Sequence, residues 1–248
     1  MAISFVNESH SPGISGYESS VTIDVPSGVQ EDDLLLAVVG GTRNAAPSGW
    51  TLLGSAAQGS STGTVYVYWR LAGSSEPSSY TFTFTGVKYS KNHSIIAYRG
   101  VDTSNPIGNS DVRAVTDDEY DTNSITVTAG QWVCSFATHY TFATPNTVRT
   151  WTVNSGSERA DYGGSLGTQE GSSTAWYDSN GSVSAGSTSR THTASASTSV
   201  GTTGLLALNP GGTDHSVSPS ETLTLTDSTS IEHDGPVIFT ASYLVDIG

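Results

Sequence analysis

The 248-residue chain contains a single cysteine, Cys134, so no disulfide can form within it. Secreted domains of this size often carry disulfides, and a lone thiol points to assembly in a reducing cytoplasm. Basic residues are scarce as well: nine Lys and Arg stand against 23 Asp and Glu, for a net charge of −14. Nucleic-acid binding needs clustered cations to displace counterions, so the balance argues against it, and equally against an anionic membrane surface. No run of 18 apolar residues occurs, so the sequence predicts no membrane insertion. Met1-Ala2-Ile3-Ser4-Phe5-Val6 lacks the basic start and long apolar core of a signal peptide; it alternates like a strand. Charged residues are only 13% of the chain, too few for the Lys- and Glu-rich faces of surface helices.

What the chain does have is Ser, Thr, Gly, Val and Tyr, the composition of strands and tight turns. Ser20–Val25 sets Val21, Ile23 and Val25 against Ser20, Thr22 and Asp24, the period-2 pattern of a half-buried strand, and Pro26-Ser27-Gly28 ends it. Leu34–Val39 is apolar on both faces, as a central strand covered on each side would be. Thr64–Leu71 places Val65, Val67, Trp69 and Leu71 on one face and Thr64, Tyr66, Tyr68 and Arg70 on the other. Tyr80, Phe82 and Phe84 alternate with threonines over Tyr80–Thr85, and His93–Tyr98 is a further strand. No stretch has helical periodicity. The fold class expected is all-β.

The pattern then restarts. Asn105-Pro106 and the acidic Asp117–Asp121 read as a link between halves, after which Ser124–Val127 echoes Ser20–Ile23 and Gln131–Phe136 echoes Leu34–Val39. Trp151-Thr152 echoes Trp50-Thr51, and Gly204–Leu208 echoes Ser94–Tyr98. Two halves, about residues 20–107 and 123–209, are expected to interleave into one two-sheet, jelly-roll-like sandwich built from an internal repeat and covering residues 1–210. A chain this long can bury enough surface to fold without a disulfide or metal. After Pro210-Gly211-Gly212, residues 211–248 read as a linker and β-hairpin. A hairpin is marginal alone in water. Its apolar residues Leu223, Leu225, Val237, Phe239 and Tyr243 are therefore expected to dock on the main domain or on another chain.

Several constellations invite a chemical reading. Gly163-Gly164-Ser165-Leu166-Gly167 matches the nucleophile-elbow pattern, yet that elbow needs a strand-to-helix turn, and here the glycines predict a flexible loop. None of the six histidines pairs with another, or with Cys134, at zinc-ligand spacing, so no cofactor or metal is predicted. His93 and His139 read as structural or surface residues, and Cys134, between Val133 and Phe136, as a buried inert thiol. Glu158 and Asp161 are the nearest candidates for a glycosidase carboxylate pair, but a spacing of three puts them on opposite faces of a strand. Asp117-Asp118-Glu119-Tyr120-Asp121 could offer oxygens to Ca²⁺ but lacks the EF-hand pattern, and reads as a solvated linker. Tyr66, Tyr68 and Arg70 form a stripe that suits either a sugar ring or partner protein, or ordinary cross-strand packing.

Four phrases carry a resemblance: Asp33-Leu34-Leu35-Leu36-Ala37, Pro47-Ser48-Gly49-Trp50-Thr51-Leu52, Tyr80-Thr81-Phe82-Thr83-Phe84 and Ala97-Tyr98-Arg99-Gly100-Val101-Asp102-Thr103-Ser104-Asn105-Pro106-Ile107. They resemble jelly-roll-like modules of tailed-phage virion proteins and related bacterial surface proteins, over roughly residues 2–209. The resemblance implies a non-enzymatic structural protein of the virion, of the minor tail or fibre type, with a head decoration protein as the alternative. It implies other virion proteins and copies of the chain itself as partners, and host-surface glycan as a further contact. A stand-alone carbohydrate-binding adhesin is the alternative from another class. The phrases identify no catalytic residue.

Overall fold

β-branched and aromatic side chains fit a pleated, half-buried surface, and every regular element among the described residues is a strand. The computed structural model describes residues 2–11, 19–57, 63–86, 93–116, 120–141, 148–166, 170–196 and 200–212. The first half contributes β1 (Ser4–His10), β2 (Ser20–Asp24), β3 (Leu34–Ala45), β4 (Thr51–Ala57), β5 (Thr64–Leu71), β6 (Ser79–Gly86) and β7 (His93–Arg99). The second contributes β8 (Ile107–Val115), β9 (Tyr120–Asp121), β10 (Ile125–Val127), β11 (Trp132–Thr141) and β12 (Trp151–Val153). Its remaining strands are β13 (Ser157–Leu166), β14 (Glu170–Asp178), β15 (Gly186–Thr188), β16 (Thr191–Ala194) and β17 (Gly201–Leu208).

Two antiparallel main sheets result, ordered β1-β7-β3-β5-β4 and β8-β17-β11-β14-β13. Each sets its half's first strand at one edge beside the last, with the long central strand in third place. The expected interleaving of halves is corrected: each main sheet is built from one half of the chain. Every neighbour within a main sheet comes from the same half, so each half satisfies the backbone hydrogen bonds of its own long strands. The sandwich forms instead by packing the two sheets face to face. Leu34, Leu36, Val38, Val65, Val67, Ile96 and Tyr98 of one meet Trp132, Cys134, Phe136, Trp176, Leu206 and Leu208 of the other in a shared core.

Both faces of β3 are apolar because both are covered. Leu34, Leu36 and Val38 point between the main sheets, while Leu35, Ala37 and Val39 face outward under β2 and β6 with Val21, Ile23, Tyr80 and Phe82. Near Gly41 the strand leaves β5 and β7 and pairs with β6 through Thr42↔Gly86 and Ala45↔Thr83. A Cβ at Gly41 would run into the Phe84 ring, so glycine permits that close approach. On the second sheet, β9, β12 and β16 cover Ala137, Ala175 and Tyr177, while Ile125 and Val127 of β10, with Val183, cover Val133, Leu205 and Ala207.

Two buried hydrogen bonds and a cation–π contact join the main sheets. The Trp176 indole donates to Ser94 Oγ at 2.9 Å, Tyr98 Oη meets Cys134 Sγ at 3.3 Å, and the Arg159 guanidinium lies 4.9 Å from the Phe5 ring centre. Arg159 also grips the buried Asp178 carboxylate through Nε at 2.7 Å and a terminal nitrogen at 2.9 Å.

One boundary differs from the sequence reading. Ile107–Val115, polar enough to pass for a linker, is the edge strand β8, whose partly exposed side chains tolerate Asn, Ser, Asp and Arg. Residues Met1–Thr213 form one compact unit and Asp214–Gly248 a second. The predicted docking hairpin, with Leu223, Leu225, Val237, Phe239 and Tyr243, lies outside the described residues.

Candidate functional site

The chain passes from the first main sheet to the second through residues 100–106, and its side chains build a rigid corner there. Asp102 Oδ1 accepts the backbone N–H of Ser104 at 2.8 Å and of Asn105 at 3.2 Å, closing a turn. Asn209, just after β17, clamps that turn from the other side. Its Nδ2 donates to the Asn105 carbonyl at 2.7 Å, its backbone N–H donates to the Pro106 carbonyl at 2.9 Å, and its carbonyl accepts from the Asp102 N–H at 2.9 Å. Gln131 Nε2 in turn donates to Asn209 Oδ1 at 2.6 Å, and a Cβ at Gly108 would collide with both of those side chains.

Beside this corner opens a cleft of about 370 Å³, lined by Leu53, Trp69, Ser104, Asn105, Pro106, Ile107, Gly108, Asn109 and Ser110. Leu53 and Trp69 come from β4 and β5 at one edge of the first main sheet, Ile107–Ser110 from the outer strand of the second. Its wall is aromatic and aliphatic, its rim is amide and hydroxyl, and no lining side chain is charged.

The stripe singled out from the sequence lies elsewhere. Tyr68 is only 5% exposed, on the covered outer face, where its ring stacks with Tyr66 at 6.2 Å and leans on Phe82 at 5.8 Å. Burial and then the neighbouring Tyr66 push its hydroxyl up to about 12. Arg70 sits 4.9 Å from the Tyr80 ring centre and 6.0 Å from that of Trp50, and reaches Glu76 at 3.2 Å. Glu76 also accepts from the Tyr80 hydroxyl. The structure therefore brings the three together as cross-strand packing under β6. Trp69, on the opposite face of the same strand, is the aromatic that reaches a cleft.

A Ser–His contact does occur, with no access for a substrate. Ser135 Oγ lies 3.1 Å from His192 Nε2, and His192 Nδ1 lies 3.2 Å from the Tyr120 carbonyl, which fixes Nδ1 as the protonated nitrogen. His192 is fully buried and Ser135 is 2% exposed, so the pair is a core hydrogen bond. Burial lowers His192 to about 4, and burial with the nearby Arg149 charge lowers His139 to about 4, both from an ordinary 6.5. Both therefore stay neutral in the folded protein near pH 7, while the unfolded chain binds protons first as the pH falls. Their stabilisation is complete above about pH 6.5 and declines as the pH drops from 6.5 toward 4, each residue contributing a slope of about 1.4 kcal/mol per pH unit. The urea midpoint should accordingly fall between pH 6.5 and 5.5, before carboxylates titrate; a flat midpoint there would contradict neutral burial.

The remaining candidates fall as follows. His93 is buried and its Nδ1 accepts the Gly40 N–H at 3.3 Å, and His10 stacks on Tyr162 at 4.1 Å. His215 and His233 lie outside the described residues. Cys134 is fully buried, and burial pushes its thiol far above the ordinary range, which leaves it inert. Asp117, Asp118 and Glu119 lie outside the described residues; Tyr120 and Asp121 form β9, paired with β16, so the end of the acidic run is a strand. Among the described residues, no group of three or more His, Cys, Asp or Glu is placed to hold a metal ion.

Two expectations in β13 are corrected. Gly163–Leu166 is no loop: it pairs residue by residue with Glu170–Ser173 and makes no strand-to-helix turn. Glu158 and Asp161 share a face. A β-bulge between Glu158 and Ala160 lets Arg159 and Ala160 both turn inward, so Glu158 lies opposite Tyr177 and Asp161 opposite Ala175. Asp161 accepts the Trp151 N–H at 2.8 Å, while burial raises its carboxyl and the Glu158 charge adds to the rise. Its charge thus anchors the start of β12.

No family model, no curated protein and no solved structure matches this chain.

Proposed function

We propose that this protein is a structural module of a tailed-phage virion, of the minor tail or fibre type. In that role it assembles with copies of itself and with other virion proteins, and turns its loops toward the host surface. The observation that supports this most is how the four phrases resembling such modules interlock. Asp33 accepts two hydrogen bonds from Arg99, at 2.9 and 2.8 Å, locking the first phrase to the last. Leu34–Ala37 pair directly with Ile95–Tyr98. Trp50 packs edge-on against Tyr80 at 5.2 Å and Phe82 at 5.5 Å, joining the second phrase to the third. Every phrase thus serves the framework, and the last carries Ser104, Asn105, Pro106 and Ile107 into the lining of the cleft.

Gold-labelled antibody on purified particles tests this reading. Label on the tail supports it, label on the head transfers the role to capsid decoration, and particles without the protein overturn it. A chain ending at residue 212 should leave the sandwich folded and be lost from particles if residues 213–248 carry the docking hairpin. Normal copy number of the truncated chain would refute that docking role.

A further inference from the structure

We infer that the cleft between Trp69 and Asn105 is a binding site for one neutral sugar ring. This gives chemistry to the host-surface contact proposed above, and rests on that proposal only for the source of the sugar. A cleft of about 370 Å³ falls in the size range of small-ligand sites. A pyranose has an apolar C–H face and a rim of hydroxyls, and the cleft offers the complement of each. Trp69, Leu53, Pro106 and Ile107 supply an apolar wall, with the indole as the flat surface on which sugar C–H groups stack.

The polar rim holds unused hydrogen-bonding capacity. Among the described residues, the Trp69 indole N–H, the Ser104 hydroxyl and the Asn105 side-chain amide make no hydrogen bond to protein, while Ser104 and Asn105 are exposed. Together they offer the cleft both donors and acceptors. Asp102 and Asn209 already fix the backbone of Ser104 and Asn105, and Trp69 sits within β5, so binding costs little ordering.

Charge selects the class. A carboxylated or phosphorylated sugar needs a cation opposite its anion, and none lines the cleft. The net charge of −14 further repels anions.

The test uses the full-length ¹⁵N-labelled protein, whose five tryptophans each give one indole N–H resonance. The Trp69 signal is the one missing from Trp69→Phe. Methyl β-D-glucopyranoside, methyl β-D-galactopyranoside, N-acetylglucosamine and glucuronate are titrated in turn. The expected result is a saturable shift of the Trp69 indole with at least one neutral sugar, about tenfold weaker binding in Asn105→Ala, and no saturable shift with glucuronate. Asn105 is exposed, so that variant keeps its fold, and unchanged signals from the other tryptophans verify it. Three results would overturn the site: no saturable shift with any neutral sugar, a shift undiminished by Asn105→Ala, or glucuronate binding as well as the neutral sugars. Because the experiment uses isolated protein, a failed titration leaves the virion assignment standing, and absence from particles leaves the site standing.

Discussion

Arg159→Met should lower the unfolding free energy by about 3–5 kcal/mol, the usual cost of stripping the partner from a buried ion pair. Asp178 is wholly buried at the side chain, on the inward face of β14 opposite Cys134. Two guanidinium nitrogens satisfy its oxygens, and the backbone N–H of Asn180 adds a third bond at 2.8 Å. Arg159 is held in turn by Asn180 Oδ1 at 2.6 Å and by the Phe5 ring of the opposite sheet. Methionine keeps the stem's volume and removes the charge, so the carboxylate is left against Tyr98 and Cys134. Adding Asp178→Leu should recover most of the loss, because the double variant buries no charge. Urea unfolding of the single and double variants measures both effects. A loss under about 1 kcal/mol in Arg159→Met would place the pair in the class of solvated surface bridges.

Trp176→Ala should cost a similar amount, about 3–5 kcal/mol, the range for truncating a buried Trp or Phe. Trp176 is fully buried, packs against Phe136 at 5.1 Å, and passes its indole N–H to Ser94 on the other main sheet. The cavity would therefore open in the core the two halves share, and the thermal midpoint of both should fall together. Trp176→Phe should cost less, since it restores most of the apolar volume and loses mainly the bond to Ser94. An unchanged midpoint in Trp176→Ala would mean that the sheets part at this point without penalty.

Much of this fold is written locally. Leu34–Val39, apolar at every position, announces a strand covered on both sides, because a side chain of either parity must find an apolar partner. Thr64–Leu71 declares its two faces through strict alternation, and Val65 and Val67 do meet the shared core while Tyr66 and Tyr68 meet the outer one. The polar edge strand β8 escaped because edge position, which relaxes the demand for apolar side chains, is a property of the sheet. The bulge at Arg159 escaped too. Counting by two assumes an unbroken pleat, and a single extra residue reverses the faces of everything beyond it.

The candidate site was less legible than the fold. Tyr66, Tyr68 and Arg70 drew attention as a stripe, yet a stripe on a strand is open or covered according to what the rest of the chain lays over it. Here β6 covers it. Trp69 looked like core from its alternation with Val65 and Val67, and it does touch the core, but its place near the sheet edge leaves it lining a cleft. Asn105 lay in a turn with nothing to tie it to a tryptophan 36 residues earlier.

Composition and period-2 alternation thus fixed by themselves that the chain is all-β and that Leu34–Val39 is a central strand. These follow from each residue's own preference for water or for apolar surroundings, and need no knowledge of its neighbours in space. Only the tertiary structure decided that the halves stack rather than interleave, that Glu158 and Asp161 share a face, and that Trp69 and Asn105 line one cleft. Those outcomes depend on backbone hydrogen bonds between distant segments and on where each sheet ends.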